Sequence, residues 1–329
     1  MKLLRRIFYR CADGAGLRRL HRRRSVRPHY RPVDADVPWT VVEPDVPELR
    51  LTEEGRRDGR RFGRFLFDSA IRTAYPENNR VGGLFWEPDS KESGGRLRTC
   101  AVVLHGWRMN RPDRVEKLVV RGLLERGVGV YAPYLPYHFS RAPAESAYGG
   151  EYMISADLPR TVEAVAQAVA DVRALVRWLR RCRGAAKVAL IGVSLGGQIA
   201  NLTAAFEPEL DALVSVFAPN SLAHAVWHTR PGVYIRRELE ANGVHYGVLA
   251  EAWRDLDPAR YRPALAKERI LLMSAAYDRY VDLADAEALW RAWGEPARIV
   301  YPCGHAGLVL ERRRIGREVA RFLRLEIGG

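Results

Sequence analysis

Hydrophobic positions change rhythm along the chain, and the change divides it. Leu3, Leu4, Ile7, Phe8 and Cys11 recur at helical spacing in MKLLRRIFYRC, with Arg5, Arg6 and Arg10 elsewhere on the turn, which predicts an amphipathic helix. Residues 28–50 hold five prolines and read as an extended connector. Short β-like segments follow at 62–68 and 81–87, split by Pro76 and Asn78–Asn79, and residues 88–98 (PDSKESGGRLR) read as a polar loop. From residue 99 the rhythm is regular. Residues 99–104 (TCAVVL) form a continuous apolar run of the sort buried in a parallel sheet. A helix is predicted at 112–126, a strand at 128–134, a long helix at 157–183, a strand at 187–193 and a helix at 195–206. Strands at 213–217, 270–275 and 298–301 alternate with helices at 283–293 and 306–324. Such alternation specifies a mostly parallel sheet covered by helices on both faces. The stretch 219–265 breaks the pattern, carries Trp227, Tyr234, Tyr246 and Trp253, and reads as a mainly helical insertion over the sheet's C-terminal edge.

Composition narrows the class. The chain has 329 residues, 47% hydrophobic and 28% charged, which excludes a disordered, collagen-like or fibrous protein. No run approaches 18 uninterrupted apolar residues, so no transmembrane helix is predicted. The four cysteines are scattered, with no CxxC pair, too few for a disulfide scaffold and wrongly spaced for zinc. A reduced, cytoplasmic setting is the expectation. The net charge of +14 is concentrated: residues 1–32 carry eleven Lys and Arg against one acid, Asp13, leaving only +4 for the rest. This describes a nearly balanced globule, expected at 61–329, with a basic N-terminal arm and connector at 1–60. It does not describe a nucleic-acid-binding surface. The arm's helix either packs its apolar stripe on the body, the simpler reading, or lies on an anionic membrane. On the membrane reading, removal of residues 1–27 abolishes liposome binding and leaves turnover of a short ester intact.

The chemistry is concentrated in three loops. Gly192-Val193-Ser194-Leu195-Gly196-Gly197 joins the strand KVALI to the helix LGGQIANLTAAF. A turn this sharp needs small residues around it, pushes the serine side chain into the open, and sets it at a helix N-terminus that favours developing negative charge. Asp278 follows the strand ILLMSA and His305 follows ARIVY, each just past the C-terminal end of its strand, where parallel sheets keep their ligands. His305 is suited to take the Ser194 proton, with Asp278 accepting the other imidazole N–H. Asp282 is the competing acid, but reads as the N-cap of the next helix. The expected oxyanion donors are the backbone N–H groups of Leu195 and of Trp107, the latter in the loop His105-Gly106-Trp107. His105 itself reads as a structural histidine.

The HG at 105–106, the elbow GVSLGG at 192–197, Asp278 and the GH at 304–305, in this order, resemble the α/β-hydrolase superfamily over about residues 80–325. The segment APYLPYHFSR at 132–141, the elbow helix and CGHAGL are also similar to abhydrolase-domain proteins of eukaryotes and bacteria. The resemblance implies an α/β fold with a sheet of about eight strands, a Ser–His–Asp triad, no cofactor and a variable lid, here 219–265. Its motifs are uninformative about substrate; the expected activity is that of a carboxylesterase- or lipase-like serine hydrolase, cleaving a small ester or thioester through an acyl-enzyme on Ser194. Tyr137, His138 and Arg141, on the triad's rim, either contact the substrate, with Arg141 or His138 holding a carboxylate or phosphate, or form a polar lip whose hydrogen bonds are made internally. His224 and His228, one helical turn apart, lack the acid of an HExxH pattern and read as polar lid residues, so no metal is expected. Two rivals remain open from sequence: a non-catalytic interaction protein using the basic arm, and an amidase or peptidase with the same triad.

Overall fold

Strand formation follows the apolar runs. The computed structural model describes residues 2–25, 27–32, 39, 41–57, 59–88, 97–111 and 120–327. Its strands are β1 (Arg50–Arg57), β2 (Arg60–Asp68), β3 (Arg80–Pro88), β4 (Thr99–Leu104), β5 (Gly129–Pro133), β6 (Lys187–Val193), β7 (Ala212–Val216), β8 (Ile270–Ala275) and β9 (Ala297–Tyr301). Among the described residues these nine join in one sheet, in the order β1-β2-β3-β5-β4-β6-β7-β8-β9. The pairs β1–β2, β2–β3 and β3–β5 are antiparallel, and every pair from β5–β4 onward is parallel. Every residue of β4, β5, β7 and β8 is buried, as expected of strands covered on both faces.

The helices are α1 (Lys2–His21), α2 (Arg121–Leu124), α3 (Leu158–Arg181), α4 (Leu195–Phe206), α5 (Leu222–His228), α6 (Val233–Ala241), α7 (Tyr246–Ala252), α8 (Leu283–Ala292), α9 (Gly307–Leu310) and α10 (Arg312–Ile327). Asp157 caps α3 by accepting from the Arg160 amide, and Pro159 sits in the first turn, where its missing N–H costs nothing. The described part of 219–265 is α5, α6 and α7 joined by turns.

One sequence expectation changes. The count of about eight strands becomes nine because residues 50–57, assigned to the connector, form β1. Its sequence RLTEEGRR shows no alternation, being an exposed edge strand with a bulge between Glu53 and Gly55. The segment before it is also tied down. Glu43 pairs with Arg173 and Arg177 of α3, and both arginines also reach the buried Glu207 at 3.3 Å. The expected polar loop falls mostly on 89–96 and the first half of the expected helix at 112–126 on 112–119; both lie outside the described residues.

Candidate active site

The turn between β6 and α4 is where the backbone is most constrained. Ser194 adopts φ 55° and ψ −120°, a left-handed conformation that a non-glycine residue takes only when its surroundings enforce it. Its amide donates to the Val216 carbonyl at 2.8 Å, and its carbonyl accepts from the Gly197 and Gln198 amides. The serine side chain caps nothing and is partly exposed. The flanking glycines are required by contact: a Cβ at Gly192 would collide with the Gly196 carbonyl, and one at Gly196 would lie 2.5 Å from the His105 carbonyl oxygen.

Asp278 and His305 are brought together by the ends of β8 and β9. His305 Nδ1 donates to Asp278 Oδ2 at 2.8 Å, and the other Asp278 oxygen accepts from the amides of Tyr280 (2.7 Å) and Val281 (3.0 Å). This fixes the proton on Nδ1 and leaves Nε2 as the basic atom. Burial disfavours the His305 imidazolium, but the charge and hydrogen bond of Asp278, aided by the more distant Asp13 charge, outweigh it and raise the pKa. The Tyr280 ring stacks on the imidazole with centroids 4.6 Å apart and planes 13° apart. Asp282 lies apart from this pair: it accepts from the Ala284 amide at the start of α8 and contacts His224 at 3.2 Å.

Ser194 and His305 line one cavity of about 240 Å³ with Trp107, Leu195, Tyr280 and apolar side chains such as Met109, Ile154, Leu222, Val226 and Leu308. Trp107 and Leu195 thus border the serine, and the first amides of α4 have no partner within the helix. The Trp107 indole donates to the Gly150 carbonyl at 2.8 Å, fixing the ring in the wall. His105 stays outside the cavity: it is buried, accepts from the Leu135 amide at Nε2 and donates from Nδ1 to the Gly106 carbonyl. Burial pushes its pKa down to about 4, so it is a neutral brace between two loops.

Tyr137, His138 and Arg141 do not touch the cavity but point into the protein, the internally bonded of the two readings. All three side chains are fully buried and none lines the cavity. Arg141 pairs with Asp171 at 2.8 Å and donates to the Asn78 and Tyr134 carbonyls. The His138 ring packs against His105 with centroids 4.7 Å apart. Left-handed turns at Tyr137 (φ 60°) and Phe139 (φ 52°) direct this loop inward, which its position after β5 alone does not reveal.

The site has a component that sequence reasoning did not place there. Helix α1 contributes Leu20 to the cavity wall, and Arg108 of the cavity donates to the Leu20 carbonyl at 2.7 Å. The buried face of α1 is Tyr9, Asp13 and Leu17, one residue per turn, whereas Leu3, Leu4, Ile7 and Phe8 of the expected stripe are exposed. Residues 1–27 therefore cannot be removed without altering the cavity. The signal was present in the sequence as the single acid among eleven bases. Among the described residues no group of three or more His, Cys, Asp and Glu side chains converges on a metal-sized space; the His224 and His228 rings lie against each other with centroids 4.6 Å apart and planes tilted by 42°.

The model of a family described as alpha/beta hydrolase domain containing 18 matches residues 76–255, more than half of the chain. The uncharacterized protein YdjC of Bacillus subtilis is 46% identical over 112 residues, which is 34% of this chain and 97% of YdjC. An uncharacterized protein of Mycobacterium tuberculosis is 28% identical over 288 residues, covering 80% of this chain; the match spans 64% of that relative's length. Among solved structures, the acetyl xylan esterase from Paenibacillus sp. R4 superposes with a TM-score of 0.63 at 15% identity, over 85% of this chain and 89% of that one. Acetyl xylan esterase 1 from Thermoanaerobacterium sp. JW/SL YS485 gives 0.63 at 16% identity, over 84% and 88%. At such identities the likeness is one of fold.

Proposed function

The chain belongs to the alpha/beta hydrolase domain containing 18 family, and from that premise we propose that it is a serine hydrolase cleaving a carboxylic ester or thioester through an acyl-enzyme on Ser194. The observation that carries this reading is the 2.8 Å bond between His305 Nδ1 and Asp278, with His305 and the strained Ser194 lining the same apolar cavity. In this mechanism Ser194 Oγ attacks the acyl carbonyl carbon as its proton passes to His305 Nε2. The oxyanion is held by the backbone N–H groups of Leu195 and Trp107. The carbonyl re-forms, the alcohol or thiol leaves with the proton from His305, and Ser194 carries the acyl group. Water then attacks with His305 again as base, releasing the acid and restoring the serine. Asp278 accepts from His305 Nδ1 throughout and stabilises the imidazolium. Residues 219–265 act as a lid, since Leu222, Val226 and Pro231 supply one wall of the cavity. A cavity of about 240 Å³ favours a short or medium acyl group.

The test is fluorophosphonate labelling of wild type, Ser194→Ala and His305→Ala, read by intact mass beside a p-nitrophenyl ester series from acetate to palmitate. Labelling of wild type alone, with turnover lowered by roughly 10⁴-fold or more in both variants, is the expected result. An unlabelled wild-type protein that turns over no ester would overturn the reading.

A further inference from the structure

Two loops carry the residues that must meet at His305, and a third segment holds both of them. Asp13, on α1, is 1% exposed. Its carboxylate accepts three backbone N–H groups: His305 at 3.0 Å, Ala306 at 2.8 Å and Arg279 at 3.2 Å. The first two belong to the histidine loop and the third to the loop of Asp278, so one carboxylate ties the two together. Two glycines make room for this packing. A Cβ at Gly304 would lie 2.5 Å from the Asp13 carboxylate, and one at Gly16 would lie 2.6 Å from the Tyr280 hydroxyl. Helix α1 therefore passes close over the tyrosine that stacks on His305, while Arg5 and Tyr9, both at 2.7 Å from Glu311, anchor it on the far side.

We propose that Asp13 is a positioning residue for His305, making α1 part of the catalytic unit and not an appendage. The proposal rests on the Ser194–His305–Asp278 reading above. Three amides converging on one buried carboxylate fix the loop backbone, and with it the direction of the imidazole, to within the few tenths of an ångström that proton transfer from Ser194 requires. The groups facing His305 are few. Asp278 is on Nδ1, Asp13 is behind the backbone, and the Tyr280 and Phe217 rings lie against the imidazole. Arg279 and Arg108 are the cations that bear on Tyr280. Both carboxylates favour the imidazolium, Asp278 more than Asp13.

The experiment uses the full chain. Asp13→Asn keeps the size of the side chain but removes its charge and turns an N–H donor toward backbone donors. It is measured beside Ser194→Ala for kcat and KM on p-nitrophenyl butyrate from pH 5 to 9, and for thermal stability. The expected result is a fall in kcat of roughly ten- to hundredfold with KM little changed, and an acid limb of kcat/KM displaced to lower pH. A role confined to holding α1 would lower the melting temperature and leave the limb in place. Wild-type kcat and an unmoved limb in folded Asp13→Asn would overturn the proposal. Should Asp13→Asn fail to fold, Gly304→Ala takes its place: it presses on the carboxylate with the charge retained, so kcat should fall with the limb unmoved, and wild-type kcat there overturns the proposal. Retained turnover in Ser194→Ala would instead remove the reading beneath it.

Discussion

Arg141 and Asp171 form an ion pair of 2.8 Å with neither side chain reaching solvent. Asp171 also accepts from the Ser69 hydroxyl at 2.6 Å, and the guanidinium binds two backbone carbonyls, so the pair staples the β2–β3 connection, the loop after β5 and α3 together. Removing one partner leaves the other charged and dry. Arg141→Met is expected to lower stability by about 3–5 kcal/mol, read by urea or thermal unfolding. Any folded fraction should keep its KM. A raised KM without loss of stability would return Arg141 to the substrate.

The raised His305 pKa has a sign that can be checked in turnover. On the proposed mechanism the imidazole must be neutral to accept the Ser194 proton, so kcat/KM should rise with pH through a limb lying above the ordinary histidine value of 6.5. The same shift means that protonated His305 stabilises the fold at low pH, a contribution lost as pH rises through the folded-state pKa. Asp278→Asn should move the limb down and cut kcat by about 10⁴-fold. A limb below 6 in wild type would contradict the charge arrangement described.

Asp257, in the segment after α7, is held mostly out of solvent. Burial pushes its pKa up to about 7; a Ser221 hydrogen bond opposes this and Asp285 adds to it. Its folded-state pKa exceeds the unfolded one, so the native state gives up stability as pH rises from about 4 to about 7. Asp257→Asn should therefore stabilise the protein by on the order of 1–2 kcal/mol above pH 7, with the gain shrinking toward pH 4. Melting curves of both proteins across that range give the answer; a gain equal at both ends would show that charge is not its source.

Leu3, Leu4, Ile7 and Phe8 stand 49–72% exposed on α1, and Val309 and Leu310 of α9 are 63% and 52% exposed. Arg6 and Arg10 lie exposed among them. No described helix is long and apolar enough to cross a membrane, but an exposed apolar stripe beside arginines fits the surface of an anionic bilayer. The protein is expected to sediment with vesicles containing phosphatidylserine and not with pure phosphatidylcholine. Leu4→Asp with Phe8→Asp should release it without changing short-ester turnover, since neither residue touches the site. Undiminished binding by the double variant would exclude this face.

What the sequence makes legible is governed by burial. β4, β6 and β8 are mostly apolar because helices cover both faces; Ser194 and Asp278 stand just past such runs and His305 just past the more exposed β9, where chain position alone fixes their place. β1 is illegible because an edge strand with one polar rim needs no apolar alternation. In α1 hydrophobicity misleads: the most apolar stripe faces solvent, and the buried one is built around a charged residue whose partners are backbone amides with no sequence signature. For Tyr137, His138 and Arg141 the rim is legible but the side-chain direction is not, because it depends on two left-handed residues that carry ordinary side chains.

The bond between Asp13 and His305 spans 292 positions of the chain. At synthesis rates of about 5–20 residues per second, Asp13 is made roughly a quarter of a minute to a minute before the amides it binds. During that interval α1 has no loop to hold, and His305 does not exist. The arrangement around the imidazole therefore comes into being only once the ribosome has passed residue 306, after the sheet it rests on has been made.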